Sequence, residues 1–320
     1  MSKINESIVL VGGGGGVYRV ARFLKHIRPN ISTIQTVFDH GRHSGQLRDE
    51  RGVLPPGDIR QAILALSDDN QEPILRKLMS YRFSEKGNSS LNNATVGNIL
   101  LTALTEIEGS LPAAINALCR LCNVRGRVLP VSLNNADLCV ELNDGSILRG
   151  EGNIDNRLIE DDRVIRRAYL EPKANIFVGA YEALLEADKI VLCPGDLYTS
   201  LIPNLLVDGF VDALLQSKAM LIYVVNIMTK KAETDGFTVS DFVCVVHEYI
   251  RNREINIVIY NSEVIDPAIV EKYSTEKSQP VFPNGNLGTY AYKFLATPLV
   301  DTSGGIIRHH ERIASVIADL

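Results

Sequence analysis

Five consecutive glycines, Gly12, Gly13, Gly14, Gly15 and Gly16, separate the apolar run "IVLV" from the amphipathic run "VYRVARFLKHI". Glycines between a strand and a helix let the backbone approach an anion. The start of the helix adds unpaired N–H groups and the positive end of its dipole. The chemistry implied is phosphate binding. A plain turn needs one or two glycines, and each further one costs conformational entropy on folding. The spacing does not fit the dinucleotide fingerprint, with glycines at n, n+2 and n+5, and the chain has no Gly-Lys-Ser/Thr of a P-loop.

A second polar group follows the next apolar run, in "FDHGRHSGQLRDERGVLPPGDIR". Asp39 stands where doubly wound folds place an acid against a ribose or a metal. His40, Arg42, His43 and Ser44 follow among glycines, as a solvated loop or a ligand clamp. "LPPGDIR" is a rigid helix entry, with Asp58 a helix cap and Arg60 just inside. A third group, Pro194, Gly195, Asp196, Tyr198, Thr199 and Ser200, lies between "KIVLC" and an apolar run. Its hydroxyls could cap a helix or meet phosphate, and two such strand-loop-helix sites facing one crevice suit a diphosphate. Asn92 and Asn98, around the start of "NNATVGNILLTALTEI", could cap that helix or read a base or sugar edge. Asn226 follows "MLIYVV", and Lys230 and Lys231 beyond it are expected to be surface charges. A metal here would be magnesium, held by carboxylates and substrate phosphates, with Asp39 the candidate ligand and the candidate catalytic residue. Hydrolytic constellations are missing: His247 lacks the second histidine of H-E-x-x-H, and there is no G-x-S-x-G.

These loops need a scaffold that brings strand ends together. Short apolar runs alternate with 3.6-period runs, the pattern of βαβ units. The fold class expected is α/β, a Rossmann-like, doubly wound, mainly parallel sheet, in one domain over 1–320. A helical insertion at about 58–122 and a small β element at about 128–150, turning at Asn143–Gly145, complete it. "LIPNLLVDGFVDALLQS" is expected as helix. With 320 residues, 45% of them hydrophobic, the chain can build a large core. A net charge of −5 without a dense basic block argues against nucleic acid. The apolar runs are short and the N-terminus polar, so no membrane association and a cytoplasmic location are expected. Five scattered cysteines do not make a disulfide framework, and Cys119 and Cys122 fit helical core thiols better than a metal or redox pair. A sheet of this kind commonly offers an edge or helix for a homodimer.

Taken together, "VGGGGG", "TVFDHGRHSGQLRDERGVLPPGDIR", "VGNILLTAL", "VRGRVLPVS", "CPGDLYTSLIPNLLVDG" and "VVNIMTKKAETDGFTVSD" resemble the family of 2-phospho-L-lactate transferase (CofD-like) and the bacterial gluconeogenesis factor (YvcK-like). The likeness is stronger to the second branch. It implies a nucleotide pocket lined by the glycine loop, the loop after the second strand, the Asn-rich helix start and the "PGDLYTS" loop. The transferase branch moves a phospholactyl group from a guanosine diphospho-lactate donor to a deazaflavin, with magnesium. The gluconeogenesis-factor branch is similar to a regulator that binds UDP-sugars and is tied to carbon metabolism, cell shape and the envelope. Two departures stand out. Asp39-His40-Gly41-Arg42-His43-Ser44-Gly45 replaces Asp-Asp-Gly-Gly-Ser-Ser-Gly, losing a second carboxylate, and Gly15 replaces a threonine. Arg42 and His43 could meet phosphate charge directly.

Overall fold

A strand covered on both faces needs apolar side chains in both directions, and Ile8–Gly12 (β1) and Ile31–Gln35 (β2) are buried at every residue. The strands that follow are Arg127–Pro130 (β3), Asp137–Leu142 (β4), Ile147–Arg149 (β5), Ile165–Glu171 (β6), Lys189–Leu192 (β7), Met220–Val224 (β8), Ile257–Asn261 (β9) and Lys293–Thr297 (β10). The computed structural model describes residues 5–39, 41–69, 73–87, 89, 91–157, 161–284 and 293–320. Seven strands form a parallel sheet in the order β10-β9-β8-β7-β1-β2-β3. The chain builds outward from β1 through β2 to β3, then returns to the other side of β1 with β7. The carboxyl ends of β1 and β7 therefore flank the switch point, where such sheets hold ligands. The α/β, Rossmann-like architecture expected from the alternating runs is the one observed.

Helix α1, Gly14–Leu24, buries Val17, Val20, Ala21 and Leu24, one stripe at helical spacing. It packs on the helix Gly57–Leu66 and on the C-terminal helix Arg312–Asp319. Between β2 and β3 come α2 (Arg42–Arg51), α3 (Gly57–Leu66), α4 (Pro73–Ser80), α5 (Val96–Glu108) and α6 (Leu111–Leu121). The helical segment thus begins at 42, not at about 58. The polar stretch after Gly41 is a helix because its support is tertiary: Arg48 pairs with Asp137 of β4 at 2.5 Å, and Gly52 closes the last turn with φ of 68°. Cys119 and Cys122 are free thiols at the end of α6, and burial pushes Cys119 up to about 12.

The small β element also differs from the expected 128–150. Its first run joins the main sheet as β3, an edge position where Pro130 costs little. The separate sheet is antiparallel, in the order β5-β4-β6, with β6 contributed from beyond residue 150. Helices α7 (Glu151–Asp155) and α8 (Val178–Glu186) lie between β5 and β7.

After β7, the run expected as one helix is broken. A π-helical turn, Leu197–Leu201, leads into α9 (Ile202–Leu205), and α10 (Phe210–Gln216) starts only after Gly209 takes φ of 94°. Pro203 fits the first turn of α9, where its missing N–H costs nothing. His247 lies on α11, Val239–Tyr249, which opens with a Thr238–Asp241 capping box. One apolar core runs through the chain, with Tyr223, Phe38, Phe210 and Phe242 its largest fully buried side chains. No described helix is long and apolar enough to cross a membrane.

Candidate functional site

The glycine turn and the turn after β7 meet at the switch point. A Cβ on Gly16 would stand 1.6 Å from the Pro194 carbonyl oxygen, and one on Gly13 would stand 2.3 Å from Asp58 Oδ2 and 2.9 Å from Thr36 Cγ2. Both glycines are therefore fixed by close approach, whereas a Cβ on Gly15 would meet nothing within 4 Å. Asn226 Nδ2 donates to the Gly195 carbonyl at 2.7 Å and so holds the β7 turn from the end of β8.

Two cavities open on either side of this contact. The first, about 440 Å³, is lined by Gly15, Gly16, Pro194, Gly195, Asp196, Asn226 and, from α1 and the Arg308 segment, Tyr18, Arg19, Arg22, Arg308 and His309. Arg19 Nε donates to the His309 carbonyl at 3.1 Å and its guanidinium pairs with Asp301. His309 is buried against the Val225 carbonyl at 3.1 Å; burial lowers its pKa to about 4.

The second cavity, about 350 Å³, is lined by Gly14, Asp39, His43, Ser44, Asn98, Asp196, Thr199 and Ser200, together with Asp58, Arg60, Arg82, Glu151 and Asp155. Its charge is divided. Arg60 and Arg82 face it from the helical segment, with His43, whose pKa burial lowers, and with Asp58 on α3; Asp39 and Asp196 face it from the strand ends and Glu151 and Asp155 from α7. Arg60 is 9% exposed and donates to Asn98 Oδ1 at 2.9 Å; Asn98 Nδ2 reaches Ser44 Oγ at 3.4 Å. His43 Nδ1, Thr199 Oγ1 and Glu151 Oε2 are buried polar atoms without a hydrogen-bond partner among the described residues. Such atoms beside a cavity suit a polar ligand.

Both expected anion cradles carry a carboxylate of the chain itself. Asp58 does not cap its own helix, whose N-cap is Pro56; it accepts from the Gly14 N–H at the start of α1. Burial pushes Asp58 up to about 7, the Asp39 charge adds to this, and Gly14 and Arg60 oppose it. At the other turn, the Tyr198 N–H donates to Glu233 Oε2 at 3.2 Å. Asp39 accepts from the Gly41 N–H at 2.5 Å and shares a hydrogen bond with Glu151. Burial, then that bond and the Asp39 charge, hold Glu151 well above the usual carboxylate range.

The sequence-derived residues divide accordingly. Gly12 and Gly13 lie beneath the turn and line neither cavity. Tyr198 is buried at 4% exposure, away from both. Asn92 lines a separate recess with His43, Gln46, Arg82 and Asn93. His40 and the Arg42 side chain lie outside what is described. Lys230 is not a plain surface charge, since it is surrounded by Asp155, Asp196 and Glu233. Sequence reasoning missed Arg19, Arg82, Glu151 and Asp155 as lining residues. Asp58 and Arg60 had a signal in "PPGDIR", while Glu151 and Asp155 had none nearby.

A magnesium ion would need clustered carboxylates. Asp39, Asp58 and Glu151 all line the divided cavity, but burial favours the protonated forms of Asp58 and Glu151, and among the described residues these three do not come within reach of a single ion.

The model of the family described as 2-phospho-L-lactate transferase CofD matches residues 8–300. The gluconeogenesis factor of Bacillus subtilis is 35% identical over 316 residues, 98% of this chain and 97% of that one. The gluconeogenesis factor of Halalkalibacterium halodurans is 39% identical over 277 residues, 86% of this chain and 84% of its own. A crystal structure from Bacillus halodurans superposes with a TM-score of 0.91 at 35% identity, covering 98% of this chain and 99% of that one. With the sheet order, the switch-point turns and these likenesses in agreement, the chain belongs to the CofD family, among relatives named gluconeogenesis factor.

Proposed function

We propose that the crevice binds a nucleoside diphosphate, in particular a UDP-sugar, and that the protein acts as a regulator whose occupancy reports metabolic state. The observation carrying this reading is the pair of cavities meeting over Gly14–Gly16 and Asp196. Their combined space is in the range of small-molecule sites, and an elongated ligand would cross the glycine turn. The diphosphate lies over that turn, the nucleoside takes the side of Tyr18, Arg19 and Asn226, and the sugar takes the divided cavity. There its hydroxyls meet Asp39, Thr199 and Asn98, and Arg60 offsets phosphate charge. Among the described residues, none of the serine and threonine hydroxyls lining the cavities, Ser44, Thr199 and Ser200, is hydrogen-bonded to a histidine or carboxylate base, which favours binding over covalent catalysis.

A second reading, a phospholactyl transferase on a nucleoside diphosphate donor, draws support from the Asp39–Asp58–Glu151 group. Magnesium held by Asp39 and the substrate phosphates would stabilise charge on the diphosphate as it is cleaved. In that reading Arg60 and Arg82 orient the donor phosphates and Glu151 holds a proton beside Asp39.

The test is calorimetric titration with UDP-N-acetylglucosamine, UDP-glucose, GDP and NAD, with and without magnesium. Magnesium-indifferent binding of a UDP-sugar, weakened at least tenfold by Asp39→Ala or Gly14→Val, is the expected result. Preference for GDP with an absolute need for magnesium favours the transferase, and affinity unchanged in both variants removes the site.

A further inference from the structure

Among the described residues, one group of three metal-type ligands comes within reach of a single ion: Asp155, Asp196 and Glu233, their ligand atoms all within 4.8 Å of one another. Its centre is already filled. Lys230 Nζ lies 2.6 Å from Asp155 Oδ1, 2.8 Å from Asp196 Oδ2 and 2.6 Å from Glu233 Oε1. The ammonium donates hydrogen bonds to Asp155 and Asp196 and meets Glu233 Oε1 as an ionic contact. The three acids come from the end of α7, the turn after β7 and the loop after β8.

We propose that Lys230 is the resident cation of this site: its ammonium occupies the position a divalent metal would take between Asp155, Asp196 and Glu233, and so closes that side of the crevice to metal. Two observations beyond the acidic cluster support this. The Glu233 side chain is 1% exposed, and its Oε1 has no directed hydrogen bond, only the ionic contact with Lys230. A buried carboxylate aimed at a point where no N–H or O–H is directed to it is built for a spherical charge, and such a charge is costly to leave unpaired. Second, three carboxylates surround one monovalent cation, so the cage has more anionic capacity than the lysine uses. Burial acts to lower the Lys230 pKa, yet Glu233, Asp196 and Asp155 more than reverse this and hold it above the ordinary value.

Size points the same way. The contacts of 2.6 to 2.8 Å are those of an ammonium, longer than the ~2.0–2.1 Å of magnesium and at or beyond the upper limit of the ~2.3–2.6 Å of calcium. With the lysine removed, a modest inward movement of the acids would accept a metal.

The experiment counts Mn²⁺ bound to the full chain without nucleotide, by electron paramagnetic resonance. All proteins carry Asp39→Asn, which silences the separate Asp39–Asp58–Glu151 group. With lysine present, no tight Mn²⁺ is expected and Glu233→Gln changes nothing. Lys230→Met should bind one Mn²⁺ per chain, and adding Glu233→Gln should abolish it. If Lys230→Met folds poorly, Lys230→Gln is used and recovery of its melting temperature by Mn²⁺ is the readout. The inference is overturned if neither lysine variant gains an ion or is rescued, or if the lysine-containing protein binds an ion that Glu233→Gln removes. Because no nucleotide is present, its failure would leave the proposed ligand untouched.

Discussion

Replacing Gly16 by alanine tests the claim that the crevice walls are held by backbone contact. The new Cβ would stand 1.6 Å from the Pro194 oxygen, 2.5 Å from its carbonyl carbon and 3.2 Å from the Gly195 nitrogen. Real Cβ contacts stay beyond 3.0 Å, so the two turns must part by 1.4 Å, and backbone atoms cannot rotate aside as a flexible side chain would. Overpacking of this kind costs about 3 kcal/mol, offset by about 1 kcal/mol of helix propensity gained at the start of α1. The net loss is about 2 kcal/mol, which lowers the melting temperature by about 3 °C in a chain of this size. Gly15→Ala is the matched control: nothing lies within 4 Å, so only the propensity term acts and the protein gains up to about 1 kcal/mol. Urea denaturation of the two variants beside the wild type measures the difference, expected at about 3 kcal/mol. Equal midpoints for both variants would refute the close approach of the two turns.

Asp58, raised from 3.8 to about 7, is a buried acid that prefers its proton. Its stabilising contribution is complete below pH 4 and is lost as pH climbs to 7, by up to about 4 kcal/mol, so Asp58→Asn should flatten this fall in urea titrations across that window. His309, lowered from 6.5 to about 4, acts in the opposite sense: its contribution is present above pH 6.5 and disappears as pH drops to 4, and His309→Gln should remove that acid-side slope. Asn98→Ala removes the Arg60 partner in a buried setting and should cost about 2 kcal/mol, read as a lower urea midpoint. Ligand titration of the same variant should also show weaker binding, because Asn98 and Arg60 both line the divided cavity.

How far the sequence revealed this site depended on whether a residue's partners were local. The glycine turn, the β7 turn and the switch point between them follow from apolar runs and turn residues, signals contained within about twenty neighbours. Asp58 could be seen as a residue at a helix start, yet its partner is Gly14 on a different helix, brought close only when α3 packs on α1. Lys230 sat in a stretch that looked solvated, and its cage partners Asp155 and Asp196 lie 75 and 34 residues away. The helix at Arg42–Arg51 was hidden for a similar reason, since its sequence has no apolar stripe and its anchor, Asp137, belongs to the small sheet. Boundaries of the β element shifted because residues 127–130 pair in parallel with β2, whose position beside them is set by the central sheet and not by neighbouring sequence.

The divided cavity has consequences for how this scaffold diverges. Its floor consists of strand-end turns that the central sheet cannot surrender, but its cationic wall and Asp58 come from the excursion between β2 and β3, and Glu151 and Asp155 from α7. Each wall can be exchanged without altering the hydrogen-bond register of the parallel strands. A chimaera carrying residues 42–121 of a relative on this sheet would inherit that relative's cationic wall while retaining this chain's own turns, making ligand preference a separable, graftable property of the fold.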